Sequence, residues 1–287
     1  MMPSGKNELP AINSATSWNA DLLKDPHAVA DKRKRVQNMF AAIAPSYDFN
    51  NRLHSLWMDQ LWRRKAVGVA KLNPTDVVVD VACGTGDLSL KFANALCRAS
   101  LGDRSGGGAW IGKSRVIGID FTFEMLPIAG RKGRATLAPI RSYPPASLGE
   151  VICWLNGDAQ TLPLQNSSAD VVSIAFGIRN VVDPAAAMRE FFRVLKAGGR
   201  VVILEFSLPT NPLLRGLYNF YFRKILPRTA TLISGDKTGA YKYLPESVNT
   251  FIGREQMVQM MRDAGFEGVE QFPMTFGVCV CYRGVKR

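Results

Sequence analysis

The chain has 287 residues, 47% of them hydrophobic and 21% charged, with 36 Lys and Arg against 24 Asp and Glu for a formal charge of +12. No run of 18 apolar residues occurs and no apolar leader opens the chain, which excludes a membrane-spanning helix and argues against a secretory signal. Five cysteines, odd in number and without a Cys-x-x-Cys pair, speak against a zinc site or a disulfide framework and for a reducing cytoplasm, while the basic balance admits nucleic acid or an anionic membrane surface and decides neither.

Residues 1 to 30 are polar, lack periodicity and carry Pro3, Pro10 and Pro26. They read as a disordered or loose arm, and 31–287 as a single domain. The run Lys32-Arg-Lys-Arg35 reads either as a patch facing nucleic acid or membrane, or as a solvated helix start. Val36, Met39, Phe40 and Ile43 at helical spacing predict an amphipathic helix stopped at Pro45, and Leu53–Val69 predicts a second.

Val77-Val-Val-Asp-Val-Ala82 is too short for a helix and rich in β-branched residues, so it reads as a strand buried on both faces. Gly84 and Gly86 follow, two apart, and then a helical pattern from Leu88 to Leu96. Strand, glycine turn and helix make the nucleotide-binding corner of an open α/β sheet, the glycines letting the backbone approach a ligand. Ser89 stands where a dinucleotide fingerprint needs its third glycine, and no Lys-Ser/Thr pair completes a phosphate loop. Asp80 at the strand end would repel a pyrophosphate. The corner therefore suits a cationic ligand, which points to S-adenosylmethionine with its positive amino and sulfonium centres.

Further strands are expected at Arg115–Asp120, Val151–Asn156, Asp170–Phe176 and Arg200–Phe206, with helices at Pro184–Leu195 and Arg254–Ala264. Asp120 follows Gly86 by 34 residues, where a strand-two acid commonly follows its turn by about 20. The Gly- and Ser-rich segment 97–114 accounts for the excess as a surface insertion. A second irregular stretch, Arg134–Gly149, holds Pro139, Pro144 and Pro145. The aromatic, basic segment 209–248 reads as a helical insertion, and two strands near Val269–Pro273 and Thr275–Tyr282 close the sheet.

Asp80-x-Ala-Cys-Gly-Thr-Gly-Asp87 resembles the first motif of class I S-adenosylmethionine-dependent methyltransferases. Phe176-Gly-Ile-Arg-Asn-Val181, Arg193-Val-Leu-Lys-Ala-Gly-Gly199, Leu204-Glu-Phe-Ser207, Tyr47-Asp-x-x-Asn51 and Tyr243-Leu-Pro-Glu-Ser-Val248 narrow it. In this order, from Val36 to Gly284, they resemble the ubiquinone/menaquinone biosynthesis C-methyltransferases. The resemblance implies a Rossmann-like α/β fold: seven mostly parallel strands, an antiparallel last strand, and helices on both faces. It makes 31–72 a helical lid and 209–248 a substrate-side insertion.

The resemblance also implies roles. Asp80 belongs to the cofactor corner, and Gly84, Thr85 and Gly86 line the methionine portion of S-adenosylmethionine. Asp120 accepts from the ribose hydroxyls, or else caps the next helix. Asp158 and Ala159 contact the adenine, or Asp158 forms a turn. Arg179 lowers the pKa of a quinol hydroxyl through water and Asn180 orients that water, unless Arg179 merely pairs with a surface acid. Tyr47, Asp48 and Asn51 close the lid, with helix capping an open alternative at Asn50-Asn51. Ala175 stands where the family tends to have serine. The cluster Leu217–Leu226 walls a prenyl-tail pocket, docks on a membrane or packs in the core. His27 and His54 have no ligand companion, so metal-assisted chemistry is not expected.

The function expected is methylation of a demethylated prenyl quinol at a ring carbon. Ser234-Gly-Asp236 and Tyr243–Val248 lean toward the menaquinone type over the ubiquinone type. A nucleic-acid methyltransferase is disfavoured because Ala175–Asn180 lacks the Pro-Pro-aromatic grip for a flipped base. A non-enzymatic scaffold is disfavoured by the intact Thr85, Asp120 and Arg179. The partners expected are a lipophilic quinol and, at most peripherally, the inner face of a membrane; a homodimer is left open.

Overall fold

A computed structural model describes residues 16–102, 115–137 and 152–287. Its strands are β1 (Val77–Val81), β2 (Arg115–Asp120), β3 (Ile152–Asn156), β4 (Ala169–Ala175), β5 (Leu195–Phe206), β6 (Glu267–Met274) and β7 (Cys279–Val285). They form one sheet in the order β3-β2-β1-β4-β5-β7-β6. All pairs from β3 to β5 are parallel, and β7 runs antiparallel to both β5 and β6. The chain order reverses between β1 and β4, so the switch point lies at the carboxyl end of β1, where ligands bind in open α/β sheets.

The helices follow from composition and caps. They are α1 (Lys32–Ile43), α2 (Tyr47–Ser55), α3 (Met58–Val69), α4 (Asp87–Gly102), α5 (Met125–Leu137), α6 (Pro184–Val194), α7 (Pro212–Phe220), α8 (Leu226–Ser234), α9 (Ala240–Asn249) and α10 (Arg254–Asp263). At α6 the Asp183 carboxylate accepts from the Ala186 N–H at 2.9 Å with Pro184 in the first turn, a preorganised start. Alternation along the strands feeds two cores. Val78 and Val171 pack with Trp62, Ala66, Leu88, Phe92 and Leu96 of α3 and α4 on one face. Val79, Val172 and Ile174 pack with Met188 and Phe191 of α6 and Met257 and Met261 of α10 on the other. A third cluster joins Val36, Met39 and Ile43 of α1 to Phe222, Leu226, Ala230, Tyr241 and Tyr243 of the insertion.

Several expectations need correction. The described part of the N-terminal arm is anchored: Trp18 is buried against Tyr243, ring centroids 4.4 Å apart, and its N–H donates to the Thr238 carbonyl at 2.8 Å. The helix expected over Leu53–Val69 is two, broken at Leu56 and Trp57, both with positive φ (51° and 62°). Asn50 and Asn51 lie inside α2, so neither caps it. The 97–114 insertion begins as helix, since α4 runs to Gly102; residues 103–114 lie outside the described part. α5 likewise extends into the stretch expected to be irregular, and 138–151 lie outside it.

The Lys32–Arg35 run opens α1 with Arg33 and Lys34 exposed, as a solvated helix start would, but Lys32 is buried. Lys32 is 2% exposed, Arg33 pairs with Asp158 at 3.1 Å, and Arg35 pairs with Asp31 at 2.6 Å. Only Lys34 of the four has no such partner in view.

Candidate functional site

Four strand ends converge on an open cleft. β1 supplies Val81, then Ala82 and Gly84; β2 supplies Asp120 and the following Phe121; Gly157, Asp158 and Ala159 follow β3; Ala175 and Phe176 end β4. α1 and α2 close over it with Arg33, Val36, Phe40 and Tyr47. Ala82 and Phe176 hold positive φ (51° and 57°), a strained backbone that concentrates at functional turns.

Asp120 is the fixed point of this cleft. Its Oδ2 accepts from the Gly84 N–H and its Oδ1 from the Thr122 N–H, each at 2.7 Å. Burial raises its carboxyl to about 6, and the two backbone donors oppose that rise. These bonds bind the glycine turn to β2 and leave lone pairs on both oxygens for a ligand. Asp120 does not cap α5, which begins at Met125. Asp158 accepts from the Gln160 N–H at 2.9 Å and from Arg33, so it forms a turn and also faces the cleft. The Arg33 guanidinium lies 4.6 Å from the Phe121 ring centroid, which makes a flat cationic–aromatic wall.

Of the residues assigned to the cofactor corner, three point elsewhere. Asp80 is buried and accepts from Ser89 Oγ at 2.6 Å and Ser173 Oγ at 2.8 Å; burial raises its carboxyl to about 6. It braces the strand and does not line the cleft. Gly86 has φ +84°, and a Cβ there would meet the Trp154 ring at 2.5 Å, so that glycine serves packing. Thr85 Oγ1 donates to Asp48 Oδ1 at 2.6 Å and accepts from Lys132 Nζ at 3.1 Å. Lys132 also reaches Asp48 at 2.6 Å and Asp87 at 2.5 Å. Burial alone would raise Asp87, but Arg63, Lys132 and Arg52 hold it at about 2. This network clamps α2, and with it Asp48, onto the start of α4.

Tyr47 faces the cleft and a second one. The second is lined by Phe176, Phe206, Tyr241 and Tyr243, by Asn51, and by Asp59, Arg63 and Arg179. Phe40, Tyr47 and Phe176 are walls of both. The Phe176 and Phe206 rings lie 4.6 Å apart. Arg179 is 4% exposed, and its Nη1 donates to Glu205 Oε1 at 2.6 Å and to the Phe176 carbonyl at 2.8 Å. Its partner is therefore a buried acid and not a surface one. Asn180 lines the first cleft, and its Oδ1 accepts from the Tyr243 hydroxyl at 2.9 Å.

Lys32, Arg33, Asp59, Arg63, Lys132, Glu205 and Tyr243 were not predicted as site residues. A charge inside the apolar strand β5 could have flagged Glu205, and acid and base one turn apart on an otherwise apolar helix face could have flagged Asp59 with Arg63. Nothing local marks Lys132, whose partners are 45 and 84 residues away. Among the described residues no group of three His, Cys, Asp or Glu could hold a metal.

The first cleft has the chemistry S-adenosylmethionine needs. An ionisable carboxylate at the end of β2 can take two hydroxyls, apolar walls can sandwich an adenine, and no phosphate grip is present. A Cβ at Gly84 would face the cleft with only Tyr47 near, at 4.0 Å.

Comparison with known proteins agrees with this geometry. A C-methyltransferase of ubiquinone/menaquinone biosynthesis from Geobacter sp. (strain M21) is 40% identical over 91% of this chain and all of its own length. The demethylmenaquinone methyltransferase of Deinococcus radiodurans is 39% identical over 90% of this chain and 95% of its own. In shape the chain is similar to a SAM-dependent methyltransferase of Thermotoga maritima, with TM-score 0.53, 20% identity, and 87% of this chain and 100% of that one covered. The model of the ubiE/COQ5 methyltransferase family matches residues 28–286, and the chain belongs to that family.

Proposed function

We propose that the protein is an S-adenosylmethionine-dependent C-methyltransferase that converts demethylmenaquinol to menaquinol. The observation that supports this is the pair of clefts sharing Phe40, Tyr47 and Phe176: one at the strand ends with Asp120 in its wall, the other lined by aromatic rings. Family membership and the printed activity of the Deinococcus relative support the same substrate class.

S-adenosylmethionine bound in the first cleft supplies a methyl group made electrophilic by its sulfonium. Asp120 would hold the ribose hydroxyls, with Asp158 and Ala159 beside the adenine. Gly84 would flank the methionine end. Tyr47, Asp48 and Asn51 would close α2 over the donor and exclude water. The acceptor carbon must be held in line behind the methyl, which Phe176 and Phe206 do by confining the ring. Asn180, steadied by Tyr243, would orient a hydroxyl or a water at the boundary between the clefts. Arg179, its charge shared with Glu205, would favour the ionised hydroxyl.

The substrate's tail favours a membrane-adjacent position. Leu213, Leu217 and Phe220 on α7 and Leu232 on α8 are exposed, with Arg215, Arg223, Lys224 and Arg228 around them. An apolar face rimmed by cations suits the surface of an anionic bilayer. Among the described residues no helix is long and apolar enough to cross one.

Incubation with methyl-labelled donor and a panel of reduced quinones, with products identified by mass, tests the reading. Menaquinol-type product is expected. Exclusive methylation of the benzoquinol would move the assignment to ubiquinone synthesis. A protein that binds the donor and leaves every quinol unmodified would refute it.

A further inference from the structure

The proposed reaction needs a group that takes the quinol hydroxyl proton, and Arg179 is poorly suited: it is a guanidinium already engaged by Glu205. Among the described residues lining the aromatic cleft, Asp59 is the one carboxylate. It sits one helical turn from Arg63 on α3, and both side chains are more than nine-tenths buried (6% and 7% exposed). Asp59 Oδ2 accepts from Arg63 Nη1 and from Gln60 Nε2, each at 2.8 Å. Oδ1 has one donor, Ser55 Oγ at 3.0 Å, and so keeps a lone pair.

Arg63 carries the second observation. Its Nε is buried and has no hydrogen-bond partner, although the guanidinium lies against the Phe176 ring, 5.1 Å from its centroid. A buried donor without an acceptor is costly, and beside a cleft it calls for an acceptor that a ligand oxygen or a water can supply.

Resting on the function proposed above, we infer that Asp59 and Arg63 form the site that reads the quinol hydroxyl, with Asp59 as proton acceptor and Arg63 Nε as the donor holding the oxygen. Asp59 Oδ1 takes the hydroxyl proton, and the oxygen's electron pair moves into the ring. The ortho carbon then takes the methyl group, and the C–S bond breaks with its pair remaining on sulfur, which becomes a neutral thioether. The hydrogen on that ring carbon leaves to solvent as a proton while Asp59 returns its own to the oxygen. The aromatic quinol is restored, with one proton released overall.

The test uses the full chain with Asp59→Asn and Arg63→Lys, measuring donor affinity by calorimetry and turnover on two substrates: demethylmenaquinol and a ring-fluorinated, more acidic analogue. Asp59→Asn should leave donor affinity within about twofold and lower turnover on the parent quinol by about 10²–10⁴-fold. The ratio of wild-type to variant turnover should shrink at least about tenfold on the acidic analogue, because a hydroxyl that ionises by itself needs the base less. Arg63→Lys keeps the charge opposite Asp59 and removes Nε; turnover should fall about 10–100-fold, the value of a charge-assisted hydrogen bond. Undiminished turnover in either variant, or an Asp59→Asn ratio equal on the two substrates, overturns the inference. A wild-type protein that methylates neither quinol overturns the function reading instead, and the inference with it.

Discussion

Lys32 Nζ lies 2.7 Å from the carbonyl oxygen of Val181, and 3.1 Å from that of Arg179. A helix that precedes the sheet is thereby fastened to the turn after β4 that carries Arg179 and Asn180. His27, 3.4 Å away, and the Arg179 and Asp25 charges complete its surroundings.

Lys32→Met should therefore loosen that turn and lower turnover about tenfold, with two carbonyls left unpaired. Burial, and next the Arg179 charge, pull the ammonium down from 10.5 to about 8. The folded protein thus holds this proton less tightly than the unfolded chain does. From this group the fold gains stability as pH rises between about 8 and 10.5, and loses it as pH falls back through 8. Wild-type stability relative to Lys32→Met, followed by denaturant melts across that window, should rise with pH. A flat difference would remove Lys32 from the account.

Donor binding should depend on pH through Asp120. In the proposed binding mode ribose hydroxyls donate to the ionised carboxylate, and burial has raised that carboxyl to about 6. Affinity should be greatest above that value and fall by up to about tenfold per unit below it. Calorimetry from roughly pH 5 to 7.5 measures the slope. Asp120→Asn should flatten it and weaken binding at neutral pH. A slope surviving in that variant would belong to Asp80, which titrates in the same range.

The two glycines of the turn should respond differently to alanine. Gly86→Ala meets Trp154 at 2.5 Å and holds φ at +84°, so stability should fall by about 2 kcal/mol or more. Gly84→Ala has open space before it and a φ of +55°; it should cost only about 1 kcal/mol of stability but intrude on the donor. Melting curves beside donor titrations separate the effects. Equal stability losses would contradict the contrast.

Glu205→Gln should destabilise the fold by about 3 kcal/mol, because it leaves the Arg179 cation buried without its counter-charge. The melting midpoint should drop by roughly 6–12 °C for a domain near this size. Replacing both members with apolar residues should restore part of the loss.

Much of the frame was legible. The run Val77–Ala82 and the glycine turn located β1 and the switch point, because a strand buried on both faces leaves a continuous apolar signature. The carboxyl ends of the first five strands were placed within one residue, whereas β5 begins five residues before the expected Arg200 and Thr275–Gly277, expected as strand, is a 3-10 turn; the antiparallel closure came with the family motif set. What failed were contacts that join distant segments. Periodicity reports whether a position faces inward, not which partner it meets, so Lys32 read as solvent-facing when it is buried against Val181, and Arg33, exposed as expected, gave no sign of its pairing with Asp158. Asp80 was misassigned because a motif gives a residue's place in the strand and not the direction of its carboxylate. Trp18 was missed for a related reason: one anchoring indole in a polar stretch produces no pattern.

Phe176, just past β4, holds a left-handed backbone and borders both clefts. With Phe40 and Tyr47 it forms the wall the two clefts share, and whatever shifts it changes both at once. Under the proposed reading, a ligand that moves this ring from one cleft alters affinity in the other, each binding event biasing the other by the same factor. Selection acting on quinone size through this position would carry a matching change in donor grip.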